Sequence, residues 1–170
     1  MTEPYKRDPI LAGTLAYWER QRGDRPMPRR ADINPADIPK LLPYIRLTEV
    51  VDGGARYRYR LVGTAIVSAY GNEHTGRYLD DVLSGERRSF VEGLYRMVCA
   101  GKRPIYAKTY YMGPWEQPVM TARVMAPLSE NGADVSLVVT AISFDVHHGT
   151  PLVIGLAGAM DLERSSIEQL

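Results

Sequence analysis

The chain has 170 residues, of which 45% are hydrophobic and 24% charged, with 21 basic and 20 acidic side chains and a net charge of +1. That balance supports a packed domain and supplies no global field to hold nucleic acid or an anionic membrane. The single cysteine, Cys99, excludes an intramolecular disulfide and a zinc site built on thiolates. Met1-Thr2-Glu3-Pro4 lacks the basic and apolar regions of a secretory leader. The longest apolar stretch, Pro151 to Met160, is well short of the roughly 20 residues that span a bilayer. A cytoplasmic protein with no membrane and no nucleic-acid partner is expected.

Asp8-Pro9 starts a helix, because Asp8 can cap exposed amides and Pro9 suits the first helical turn. Ile10, Leu11, Thr14, Leu15 and Trp18 recur at helical spacing up to the stop at Gly23. Their stripe packs either on the chain's own domain or on a second copy. Pro26, Pro28, Pro35, Pro39 and Pro43 bar a long helix from the next segment. One short turn, Ala36 to Leu42, fits between prolines, and the segment reads as a clamp anchored by Leu41 and Leu42.

Ile45 to Val51 forms a strand, and Asp52-Gly53-Gly54 a hairpin turn. In the next strand Arg56, Arg58 and Arg60 alternate with Tyr57, Tyr59 and Leu61. A two-residue period sets the arginines on one face, so the sheet is expected to have one wet side. Ala65 to Tyr70 is a short helix closed by Gly71, and Tyr78 to Leu83 another. Ser84 can cap a longer helix with Phe90, Val91, Leu94, Met97 and Val98 on its apolar face, ended by Gly101. Three strands follow, Ile105 to Met112, Val119 to Leu128 and Val135 to Val146, with turns at Gly113-Pro114 and Asn131-Gly132. Leu152 to Met160 fits a strand or a helix.

Strands joined by tight turns are antiparallel. The expected fold class is therefore α+β: an antiparallel sheet of about five strands with helices on one face, preceded by an N-terminal helix. The organisation divides into residues 1–43 (helix and clamp), 44–148 (sheet domain) and 149–170 (tail).

The run Arg58-Tyr59-Arg60-Leu61-Val62-Gly63-Thr64, then Tyr70-Gly71 and Thr75-Gly76-Arg77, resembles a family of small, stand-alone bacterial PAS proteins of the alphaproteobacterial type. The stretch from Trp18 through Pro28, Arg30, Asp32, Ile33, Pro35, Asp37, Ile38, Pro39, Leu41, Leu42 and Pro43 matches as well. The resemblance covers about residues 8 to 146. It implies a sensory, non-catalytic domain for signal transduction, with a small ligand or partner protein bound between sheet and helices. With no output domain in this sequence, signalling implies a second protein, such as a histidine kinase.

Candidate pocket residues are Tyr70, His74, Tyr78, Tyr106 and Met120. A tyrosine joins a large apolar ring to a polar tip, which suits a mixed ligand, and equally suits core packing. Gly63, Thr64, Gly71, Gly76 and Arg77 form a structural motif, in which Gly63 permits a turn and Thr64 can cap the following helix. Leu11, Leu15, Trp18 and Trp115 are candidates for a partner or homodimer interface. His147 and His148 are adjacent and point to opposite faces of extended chain, and no metal-spaced cluster is present, so no metal is expected. Cys99 lacks the asparagine-cysteine-arginine signature of flavin-reactive PAS cysteines, and no motif supports haem or flavin. A small organic ligand of unknown identity remains compatible. No nucleophile elbow or phosphate-binding loop marks an enzyme. The competing reading is an interaction adaptor of the same fold with a vestigial pocket.

Overall fold

A computed structural model describes residues 4–112, 118–144 and 152–155. The first helix, α1 (Pro9–Arg22), begins as its sequence dictates: the Asp8 carboxylate accepts the amides of Ile10 at 2.9 Å and Leu11 at 3.2 Å. Prolines then keep the chain from helix, and three short 3₁₀ turns form instead, Arg30–Asp32, Pro35–Asp37 and Leu42–Tyr44. The expected single turn over Ala36 to Leu42 is thus divided: 3₁₀ turns take its two ends, and between them the Ile38 carbonyl accepts the amides of Leu41 and Leu42. The deep anchors are Met27 and Ile38, both buried, while Leu41 and Leu42 are only half-buried.

Strands β1 (Ile45–Val51) and β2 (Arg56–Val62) follow, with a turn at Asp52–Gly54. Helices α2 (Thr64–Tyr70), α3 (Leu79–Val82) and α4 (Gly85–Gly101) come next. Gly71 closes α2 in the left-handed conformation, at φ 77°. Strands β3 (Ile105–Met112), β4 (Pro118–Leu128) and β5 (Leu137–Ser143) complete the expected set. The ambiguous tail supplies a further short strand, β6 (Leu152–Gly155). All pairings are antiparallel, and the order is β2-β1-β5-β4-β3-β6.

The sheet separates two apolar layers. On one face, here called the inner face, α2, α3 and α4 pack Ile66, Leu79, Leu94 and Val98 against Tyr57, Tyr59, Ile105, Met125, Val138 and Ile142. On the outer face, α1 packs Leu11, Leu15 and Trp18 against Ile45, Tyr106, Val124, Ala126, Leu128 and Val139. The expected α+β architecture forms, with the N-terminal helix taking the face opposite the others. β5 has apolar partners on both sides, which is why its sequence lacks a polar face.

The wet side expected from the arginines shrinks accordingly to the β1–β2 edge, where Arg58 and Arg60 reach Glu49 at 2.6 and 3.6 Å. Strict alternation fails in β2. Thr48 pairs with Tyr59 but Leu47 pairs with Leu61, so Arg60 is an extra residue, a β-bulge. The bulge reverses the facing of the next residue: Leu61 joins the outer face opposite Leu47, instead of the tyrosine face, and is 39% exposed.

Candidate functional site

The inner layer is not filled throughout. Toward one end of α4 it leaves a partly enclosed cavity of about 50 Å³ between helices and sheet. The sheet contributes Arg46 from β1, Tyr59 from β2, Thr109 and Tyr110 from β3 and Arg123 from β4. The helices cover it with Tyr70 of α2, Val82 of α3, and Arg87, Phe90 and Val91 of α4. Leu83 and the loop residue His74 complete the lining, and no described lining residue is a carboxylate.

The placement of two arginines here defies the usual rule that arginine is almost never fully buried unless paired. Arg46 is 7% exposed and Arg123 6%. Alternation explains the direction: Ile45 and Leu47 face α1, so Arg46 between them must face α2–α4, and Ala122 and Val124 place Arg123 likewise. Their environments fix them. The Arg46 guanidinium lies over the rings of Tyr59 at 4.7 Å and Tyr70 at 5.7 Å. Arg123 donates from one terminal nitrogen to the hydroxyls of Thr109 at 3.2 Å and Thr121 at 3.1 Å. Neither forms an ion pair among the described residues, and the Nε of each is buried with no hydrogen-bond partner. The hydroxyl of Thr140, the residue opposite Arg46 on β5, is a third such atom.

His74 stands beside this charge. Its ring stacks with Tyr59 at 6.4 Å between centroids. Burial, with Arg46, Arg77 and Arg87 nearby, holds its imidazole below the ordinary range, and Glu73 only partly offsets them. Burial also pushes the Tyr59 phenol upward, against the pull of Arg46 and Arg123. The phenol is therefore a neutral donor or acceptor at physiological pH.

Of the residues singled out from sequence, Tyr70 and His74 line this cavity. The other described candidates lie elsewhere. Tyr78 sits outside the sheet edge, under Arg56 at 3.7 Å, with its backbone bridged to Arg58. Tyr106 is on the outer face near Tyr5, where it lines a broader groove with Lys108, Tyr44 and the start of α1. Met120 is buried opposite Tyr110 and does not reach the cavity. Leu11, Leu15 and Trp18 are buried in the chain's own core, and Trp18 donates to the Pro127 carbonyl at 2.8 Å. They present no free face to a second copy. Trp115, His147 and His148 fall outside the described residues.

The glycine motif has structural roles. Gly63 has an ordinary φ of −65°, and its need for glycine comes from close approach. A Cβ there would overlap the carbonyls of Leu42 and Pro43. Thr64 is the first residue of α2 and makes no capping bond; the Gly63 carbonyl takes the amides of Ile66 and Val67 at 3.0 Å. Gly76 and Arg77 hook the loop to β2: the Gly76 amide donates to the Tyr59 carbonyl and the Tyr59 amide to the Arg77 carbonyl. That hook holds His74 at the cavity.

Arg46, Tyr59, Arg87, Thr109 and Arg123 also line the cavity and are absent from the candidates drawn from sequence. A usable signal existed: an arginine set singly inside an apolar strand, as in Ile45-Arg46-Leu47 and Ala122-Arg123-Val124.

Among the described residues there is no group of three or more His, Cys, Asp or Glu placed to hold a metal ion. None of their helices is long and apolar enough to cross a membrane. No curated protein matches the chain. A profile of the PAS domain family matches residues 7–142, from the cap of α1 through β5. That span is most of the chain and includes every strand of the expected five, so the chain belongs to the PAS domain family, which points to a sensory or regulatory role.

Proposed function

We propose that this chain is a non-catalytic sensory domain that takes a small ligand in the cavity between α2–α4 and the sheet. In this reading the bound state is presented to a signalling protein such as a histidine kinase. One observation carries it: two buried guanidinium groups line the cavity, and neither has a counter-ion among the described residues. A buried charge without a partner is costly, and a ligand that brings the opposite charge relieves that cost. The cavity sits between the layers, where a ligand can alter the packing of α2 and α4 and so change the surface offered to a partner.

The described lining contains no carboxylate and no thiol, and its one ordinary base, His74, has no carboxylate hydrogen-bonded to orient it. That set is suited to holding a molecule and poorly suited to proton transfer or nucleophilic attack.

Native mass spectrometry of gently purified protein, set against its denatured mass, tests the reading. A surplus mass that disappears on denaturation is the expected result. A bare mass, together with no thermal shift from any compound of a broad small-molecule library, would reject ligand sensing and leave an interaction adaptor.

A further inference from the structure

We propose that the ligand of this cavity is a small anion, a carboxylate or phosphate group on a compact body, clamped between Arg46 and Arg123. The inference rests on the ligand-sensing reading above and adds the chemistry of what is sensed.

Three arginines line the cavity, two of them buried, and no described lining residue carries the opposing charge. A buried charge without a counter-ion is among the most unfavourable arrangements a fold can contain, and chains avoid it unless something supplies the partner. The tyrosine rings do not supply it. Tyr59 and Tyr70 attract the face of the Arg46 guanidinium and the Tyr95 hydroxyl accepts from it, but neutral phenols bring no opposing charge. The Nε of Arg46 is unmatched, and Arg123 leaves the same atom unmatched while the two threonines hold its terminal nitrogen. Neither Nε opens on the cavity, but the guanidinium groups line it, and their edges suit an oxyacid, whose oxygens accept charge-assisted hydrogen bonds there.

The sheet register brings the two together. Arg46 is opposite Thr140, and Arg123 is opposite Ile142, on either side of β5. Two inter-strand steps and a two-residue offset put their Cα atoms about 12 Å apart; Arg46 leans over Tyr59 of β2 and Arg123 onto Thr109 of β3, so an anion held by both must draw the two side chains back across β5. Arg87 on α4 extends the positive lining toward the exposed surface.

Size sets the scale of the ligand. A cavity of about 50 Å³ accommodates an acid group with a short body. Val82, Leu83, Phe90 and Val91 on the helical side give that body an apolar wall.

The test is isothermal titration and thermal melting of the full chain with propionate, with its neutral isostere propionamide, and with inorganic phosphate, all at constant ionic strength held with chloride. Propionate or phosphate should bind and raise the melting temperature, and propionamide should bind at least tenfold more weakly. Whichever of the two anions is preferred identifies the acid group. Arg46→Met and Arg123→Met should each weaken the preferred anion at least tenfold. Arg46→Lys and Arg123→Lys keep the charge as folding controls and should retain part of the affinity. Equal binding of propionamide and propionate, unaffected by the methionine variants, would overturn the anion proposal and leave the ligand pocket standing. Saturable binding of neither anion at 10 mM overturns it too; only a bare native mass and a silent compound library would also reject ligand sensing.

Discussion

Gly63 offers the sharpest test of how the site is positioned. Its backbone angles, φ −65° and ψ 152°, are open to any residue. On conformational grounds alone, Gly63→Ala should therefore stabilise the chain by about 0.4–1 kcal/mol, through a less disordered unfolded state. Packing opposes this. The added methyl group would lie 2.5 Å from the Leu42 carbonyl oxygen and in overlap with that of Pro43. Backbone oxygens cannot swing away as side-chain ends do. The Gly63 amide also donates to the Ile45 carbonyl at 2.8 Å, which pins the junction from the other side. Overpacking of this kind costs about 1–3 kcal/mol. It exceeds the entropic gain, so the substitution should lower stability by about 1–2 kcal/mol. For a chain of this size that is a fall of about 2–8 °C in melting temperature. Calorimetry and urea denaturation with an unchanged m-value would read it. An unchanged or raised melting temperature would refute the close approach as the reason for glycine here. Because Gly63 leads directly into α2, which carries Tyr70, the same variant should also weaken ligand retention.

Trp18→Phe removes the buried donor to the Pro127 carbonyl, and an orphaned buried acceptor costs about 1–3 kcal/mol, visible as a lower urea midpoint; an unchanged midpoint would show that α1 does not need this bond. The His74 imidazole is held below its unfolded value, so the unfolded chain takes the proton first and stability should fall as pH drops through about 6.5. A bound anion would offset Arg46, Arg77 and Arg87, raise that imidazole and draw in a proton. Anion affinity should then rise between pH 8 and pH 5.5, with Glu73 already part of the balance, and His74→Gln should flatten the profile; a wild-type profile as flat as the variant's would contradict the coupling. Burial pushes the Cys99 thiol up to about 11, so a thiol reagent should label native protein slowly at pH 7 and unfolded protein at once; equal rates would place the thiol at the surface.

The elements were legible where local chemistry decides them. Asp8-Pro9 marks the start of α1, Gly71 the end of α2, and Asn131-Gly132 the turn before β5, where the Asn131 side chain accepts the amides of Ala133 and Asp134 at 2.8 Å. Local pattern does not encode the layer that covers each face. The arginines of β2 suggested a wet sheet because nothing in their own segment says that α1 returns across the outer side. The bulge at Arg60 was hidden too, since an extra residue leaves the alternation of Arg58-Tyr59-Arg60-Leu61 looking regular. For the site, a loop position singled out His74 and residue type singled out Tyr70, and both line the cavity. Tyr78 and Tyr106 were drawn in by residue type, although register sends one outside the edge and the other to the opposite face. Arg46 and Arg123 escaped because each is a single charged residue in an apolar run, and their meaning appears only when two strands separated by a third bring them to one cavity.

The loop hooked onto β2 at Tyr59 has a consequence for assembly. An edge strand with free amides and carbonyls invites another chain to add a strand, in recognition or in aggregation. Here Gly76 and Arg77 already occupy the hydrogen-bonding groups of Tyr59, Tyr78 bridges Arg58, and the bulge at Arg60 spoils the regular spacing beyond. A second molecule meets a blocked rim of paired charges rather than a template. Association at this end of the sheet must therefore use side chains, because β2 cannot zip to a second strand.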